Sequence, residues 1–392
     1  MSKVWRFLFK NSDVIAVGII MTAVFFYIMF MGHSDLPPHA GGAIDMLESG
    51  RLFAGNFLMY FLVNLLTCFT GAAIPVKIAL VLLVAIANVS KYLLVRNEMA
   101  KKISLNYSKC ISASLLFVYI IPVMYFLKVF GVFSHLYNMY YGYYVPNVWH
   151  NSTILCAMPF AIVTFFLSLR QFKEYDRKRN GLISLFVALG VLVKPSFFFV
   201  YGVAYPICMF IKYWINKEFL YSLIPVLIGW LCVLYVFLTT YDGSDGTKVV
   251  VSFVPLFTLE FWQSNGLYFL VSMSFPALFV LFYWKNVSKD LAFWFVLIML
   301  VVAVGIRWCC LETGERAIHG NFCWQVIPAM WFVFYYMINR LIEPFALHLQ
   351  TKVGGAVRVL GWKNTVFIVL YGLHVVMGGG YLVKYLVTNS YW

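Results

Sequence analysis

Apolar segments about 20 residues long recur along nearly the whole chain, and the breaks between them hold most of its charge. Wound as a helix, a segment of that length crosses the ~30 Å hydrocarbon layer of a bilayer. It is about twice as long as the alternating strands of a transmembrane barrel. Backbone N–H and C=O groups find no water inside lipid, so spanning segments satisfy them internally as helices. The composition agrees. Hydrophobic residues make up 63% of the chain and charged residues 11%, against about 45–50% and about 25% in soluble domains. The expected fold class is all-α: a polytopic transmembrane protein of about 11 spans. It is expected to form one domain over 1–392, with no separate soluble domain.

A net charge of +14 would suggest nucleic acid as a partner of a soluble chain. In a membrane protein, excess Lys and Arg collect in the cytoplasmic loops, so no nucleic-acid partner is expected. Lys3, Arg6 and Lys10 place the N-terminus in the cytoplasm. The first apolar segment, Val14–Met31, is too long for a signal-peptide core, and no A-x-A-like site follows it. It is read as a retained span. If the next apolar run, Phe53–Thr70, also crossed, Ile74–Val95 would end outside and carry Arg96, Lys101, Lys102 and Lys109 with it. With Phe53–Thr70 kept on the outer surface, all the basic clusters fall inside: 96–109, 170–180, Lys212/Lys217, Lys285/Lys289 and 340–363. Residues 32–73 then form a first outer loop containing juxtamembrane helices, and the C-terminus is outside.

The outer side then holds Asp35, Asp45, Glu48, Asp242, Asp245, Glu260, Glu312 and Glu315, and also His33, His39, His135, His150 and His319. Chemistry is expected on that face, where loops rest on a rigid scaffold. Pro37–Pro38 suits a helix start. Ala40, Ala43, Ile44 and Leu47 recur at helical spacing, giving a short amphipathic helix that Gly50 ends. Asp35, just before it, is either a catalytic base, a ligand for a divalent cation such as Mg2+ or Mn2+, or a helix N-cap. The stretch "YNMYYGYYVPNVWHNST" (Tyr137–Thr153) mixes an aromatic belt with amides. Asn147, Trp149, His150 and Asn151 suit sugar rings, by stacking and by hydrogen bonds to hydroxyls. His33, His39 and His319 are assigned to the same sugar or acceptor surface.

Lys194, in "GVLVKPSFFFVYG", interrupts two apolar helices. It either meets a phosphate or snorkels to the headgroups. "RWCCLETGERAIHGNFCWQ" adds Arg307 and Arg316, whose forks match phosphate geometry. Its alternative is a set of loop salt bridges. A disulfide between Cys309 or Cys310 and Cys323 is open. The Gly/Asp loop of "TTYDGSDGTKVVVSFVPL" is short of a full calcium loop. There is no CxxC pair, P-loop, GxGxxG, HExxH or GxSxG.

One helix, an outer loop with an early Asp in "HSD" (His33–Asp35), surface helices and then many spans: this order resembles the GT-C superfamily of integral-membrane glycosyltransferases. Gly55–Gly71 is similar to their juxtamembrane helix, and "LVKPSF" and "PNVWHNST" look like outer-edge segments of bacterial polysaccharide-assembly members. The resemblance implies a multi-pass enzyme of a bacterial inner membrane with a periplasmic site. It implies inverting transfer of a sugar from a polyprenyl-phosphate donor to a glycan or lipid-linked acceptor, with membrane lipids around it. Asp35 would be the base, and Lys194, Arg307 and Arg316 would hold the donor phosphate. Two other readings remain: a polysaccharide polymerase or ligase using lipid-pyrophosphate-linked glycans, and a lipid or solute transporter.

Overall fold

A computed structural model describes residues 11–50, 56–120, 144–240, 248–259, 262, 269, 272–314, 320–350 and 362–389. Its helices are α1 (Ser12–Met31), α2 (Leu36–Glu48), α3 (Phe57–Leu66), α4 (Ala73–Met99), α5 (Leu105–Phe117), α6 (Ser152–Lys173), α7 (Arg177–Val193), α8 (Ser196–Tyr213), α9 (Lys217–Thr240), α10 (Ser274–Val287), α11 (Leu291–Cys309), α12 (Val326–Gln350) and α13 (Trp362–Thr388). Two short antiparallel strands, β1 (Lys248–Val251) and β2 (Cys310–Thr313), are the described strand elements, with Lys248 opposite Thr313 and Val251 opposite Cys310. The fold class is therefore all-α and polytopic. Among the described residues, seven helices are long and apolar enough to cross a membrane: α1, α4, α6, α8, α9, α11 and α13.

Contacts at the helix ends show the threading. At one end Asp13 of α1 accepts hydrogen bonds from Tyr92 (2.6 Å) and Arg96 (2.8 Å) of α4, and Lys109 of α5 lies 3.1 Å away. Glu98 meets Arg170 of α6 at 2.7 Å, Gln171 braces Asp176 before α7, and Asp290 before α11 pairs with Arg340 of α12. This is the basic end. The other end gathers the C-termini of α1, α7 and α11 with the N-termini of α6, α8 and α12. The chain alternates between the two ends, as the loop charges predicted, with α7, α10 and α12 running alongside the seven and α5 entering from the basic end.

The two helices between α1 and α4 do not cross. α3 has ten residues, about 15 Å of helix, half the thickness of the hydrocarbon layer. α2 begins with Pro at its first turn and is closed by Gly50, whose φ of +63° favours glycine. Its buried face is Leu36, Ala40, Ala43 and Met46, while Ile44 and Leu47 lie at the margin and Asp45 and Glu48 are exposed. The stripe is thus rotated from the predicted one, because α2 packs on α4 as well as on α3. Asn64, fully buried on α3, donates to the Ala43 carbonyl of α2 at 2.8 Å.

α5 ends early, and its continuation through Tyr119 is clamped to α13. The backbone N–H of Tyr119 donates to the His374 carbonyl (3.1 Å), and the His374 ring meets the Tyr119 carbonyl through Nδ1 (2.6 Å). Gly378, one turn on, allows this approach: a Cβ there would lie 1.5 Å from the Phe117 carbonyl oxygen. Gly379 faces open space. Gly378→Ala should therefore destabilise the protein by about 3 kcal/mol, at the upper end for overpacking. Gly379→Ala should be neutral or stabilising, since it removes a glycine from a helix interior. Thermal unfolding of both variants in the same lipid checks this.

Candidate active site at the helix ends

The non-basic end brings together residues from four distant stretches. Asp35 stands at the N-cap position of α2, yet its side chain does not cap the helix. Its backbone N–H donates to the His150 carbonyl (3.0 Å), and its Oδ2 accepts from Asn151 Nδ2 at 2.8 Å. The residue that does cap a helix here is Asn151, whose Oδ1 accepts from Ile154 N (3.0 Å) at the start of α6. That Oδ1 also accepts from Thr153 Oγ1 (2.8 Å), and Thr153 Oγ1 in turn accepts from Lys194 Nζ (2.9 Å).

These bonds form a directed chain from the Lys194 ammonium through Thr153 and Asn151 to the Asp35 carboxylate. Both donors onto Asn151 bind its oxygen, which turns its NH2 towards Asp35. A chain whose members all donate in one direction polarises each bond in it. Lys194 sits between the end of α7 and the start of α8, and its ammonium lies 5.0 Å from the centre of the Trp324 ring. Burial lowers its pKa to about 8, opposed by the charges of Asp35 and Glu312. Glu312, nearly buried on β2, is held by the amide of Asn321 at 2.9–3.0 Å.

Two histidines flank the lysine. His150 is buried against Trp324, with ring centres 6.1 Å apart, and burial and then the Lys194 charge push its pKa down to about 3. His39 hydrogen-bonds Tyr60 of α3 at 2.8 Å, and the same two causes lower it to about 4. Both rings are neutral at physiological pH, leaving Lys194 as the positive group between them.

Of the residues expected from sequence, Asp35, Lys194, His150, Asn151 and His39 are brought into this group. His33 is exposed and is tied to α13 through its carbonyl, which accepts from the Tyr385 hydroxyl at 2.7 Å. Arg307 is placed beside Tyr144, 4.6 Å from the ring centre. Arg316 and His319 lie outside the described residues. Asn147 and Trp149 sit inside the bundle. The Asn147 amide donates to the carbonyls of Leu115 (3.1 Å) and Val118 (2.8 Å) and accepts from Lys91 Nζ (2.5 Å). Trp149 is buried against the stacked pair Tyr119 and Tyr381. Their partners are therefore the protein's own interior. All eight cysteines are free, so no disulfide joins Cys309 or Cys310 to Cys323. Among the described residues, no set of three His, Cys, Asp or Glu side chains converges as a metal site. The Gly/Asp loop at 241–247 lies outside the described residues.

Thr153, Trp324 and Lys91 are not singled out by the sequence reading. Thr153 and Trp324 have ordinary local patterns. Lys91 does carry a signal: a lone lysine inside an apolar span is costly unless it has a partner. It is buried on α4, and the Trp331 ring lies on its other side at 4.9 Å. No family model matches the chain, and no curated protein matches it.

Asn147→Leu would strand the buried Lys91 amine and the Val118 carbonyl just past α5, the Leu115 carbonyl keeping Trp331 as donor, and should cost about 3 kcal/mol. Lys91→Met removes one donor and should cost about 1 kcal/mol. Chemical unfolding of the two variants in mixed micelles should rank them in that order.

Proposed function

We propose that this chain is a membrane glycosyltransferase of the GT-C type, with its reaction centre at the non-basic end. The observation that carries the reading is the directed chain from Lys194 to Asp35. It links a carboxylate and a cation through two intervening side chains where helix termini and surface helices meet. The positive-inside bias supports a cytoplasmic basic end with the site on the outer face, which for the bacterial polysaccharide-assembly type would be the periplasmic face of the inner membrane.

In this reading Asp35 takes the proton from an acceptor hydroxyl on a glycan or lipid-linked acceptor. The hydroxyl oxygen bonds to the anomeric carbon of a polyprenyl-phosphate sugar from the face opposite the phosphate. The carbon–oxygen bond to phosphate breaks, and the leaving oxygen keeps the electron pair. Lys194 meets the charge that develops on the phosphate. Asn151 holds Asp35 with one carboxylate oxygen already satisfied, and the configuration at the sugar inverts. Asp35 and Glu312 already have Lys194 as their shared counter-charge, a donor set that does not suit a divalent cation, and no step is routed through a metal. A polysaccharide polymerase or ligase is the second reading. It is favoured by Arg307, whose guanidinium packs over Tyr144 at the same end.

The test is turnover of a panel of polyprenyl-phosphate sugars by the purified protein. Asp35→Asn should lower kcat by about 100-fold or more, the usual scale of general-base loss, with donor binding retained. Lys194→Met should weaken donor binding. In the wild type, donor affinity should fall as pH rises through about 8, because the protonated form of Lys194 binds the phosphate and is lost above its pKa. Lys194→Arg should move that fall out of the accessible range. Full turnover by Asp35→Asn, or an affinity flat from pH 6 to pH 10, would remove the proposed roles. Loss of activity in Arg307→Met alone would favour the polymerase reading.

A further inference from the structure

Residues 248–259 are strongly apolar and strongly exposed. Val251, Phe253 and Val254 are 60–70% exposed, Leu259 is 73% and Phe257 is 86%. Every residue of β1 faces outward. The segment is short and irregular: β1, a turn, and a 3-10 helix over Val254–Phe257. It therefore cannot cross a bilayer as a helix. It is nevertheless built. β1 pairs with β2 along its length, Ser252 N donates to the Cys309 carbonyl (2.8 Å), and Trp262 packs edge-on against Trp308 and donates to the Leu256 carbonyl.

These anchors fix the height of the segment. Cys309 and Trp308 end α11, and β2 follows directly, so the segment hangs at the non-basic end where α9 leaves the bundle. The exposed face of α9 leading up to it is apolar as well: Leu234 is 51% exposed, Phe237 45% and Leu238 64%. The exposed apolar face at the end of a spanning helix and the exposed apolar side chains of β1 and the 3-10 helix thus share one end of the protein. Side chains of this kind belong in the boundary between headgroups and acyl chains, where an element lies in the membrane plane with its apolar face down. Trp262, amphipathic and 46% exposed, suits the same depth.

We propose that residues 248–259 and Trp262 form an interfacial anchor that inserts into the lipid leaflet at the site end, with the membrane itself as partner. The apolar side chains dip between the lipids, and the β1–β2 ladder ties that contact to the end of α11. Lys248, at the start of β1, stays with the headgroups. The inference needs the membrane-spanning fold and is independent of the chemistry proposed for Asp35 and Lys194.

The experiment is photocrosslinking. A benzoylphenylalanine placed at position 257, a conservative change for an exposed phenylalanine, is irradiated in the full chain reconstituted in phosphatidylethanolamine/phosphatidylglycerol nanodiscs, one copy per disc. Position 237 on α9 is the lipid-facing control, and position 101, an exposed lysine at the basic end, is the aqueous one. Intact mass should show phospholipid adducts at 257 within about twofold of the yield at 237, as expected for a side chain at the acyl boundary. Adduct at 237 with none at 257 would overturn the proposal. So would a product at 257 joined to another part of the chain in place of lipid. In multi-copy vesicles, a dominant crosslinked dimer through 257 would assign the patch to a second copy and likewise overturn it.

Discussion

One buried asparagine governs how the site is assembled. Residues 144–151 are buried throughout, and among them Asn147 takes a hydrogen bond from Lys91 and gives one to Leu115 of α5 and one to Val118 just past it. Those three bonds satisfy polar groups that lipid would leave bare, at an interior position where each missing partner costs free energy. They also fix the register of the segment. Three and four residues later, His150 and Asn151, still buried, reach Asp35, one offering a backbone carbonyl and the other a side-chain amide. The geometry around Asp35 is therefore set by a contact deeper in the protein.

The division of charge between the two ends follows the same physics. At the basic end, Asp13 is shared among Tyr92, Arg96 and Lys109, and the acidic residues act as counter-charges within a cationic surface. At the other end the ratio is reversed. Lys194 is the cation between two carboxylates and two neutral imidazoles, so its charge is weakly screened by other cations. A group in that position responds to small electrostatic changes more than any lysine of the basic rim.

Much of the fold was legible because its determinants are periodic and additive. Segment length marked the candidate spans, and the positions of the basic loops set the 18-residue run Phe53–Thr70 apart from them, in which the structure forms only the ten-residue α3. Asp35 and Lys194 could be found because each is an ionisable group beside a helix break in an apolar sequence. Asn147 and Asn151 show where reading fails. They are the same residue type, four positions apart in one aromatic stretch, and one faces inward while the other caps α6. What separates them is the early end of α5 and the close passage of Gly378, which are tertiary facts. Lys91 was hidden for the opposite reason: its cost is visible in sequence, but its compensating partner lies 56 residues away.

α1 has a consequence for how the protein meets its surroundings. Its twenty residues make a rod about 30 Å long. One end is bolted to α4 and α5 through Asp13, and the other leads within four residues to Asp35. The rod works as a ruler. The depth of the carboxylate is measured from the opposite surface of the protein and not from the nearby lipid. In a thicker bilayer Asp35 would sit lower among the headgroups, and in a thinner one it would stand proud of them. Acyl-chain length thus becomes a variable that the fold transmits directly to the depth of Asp35.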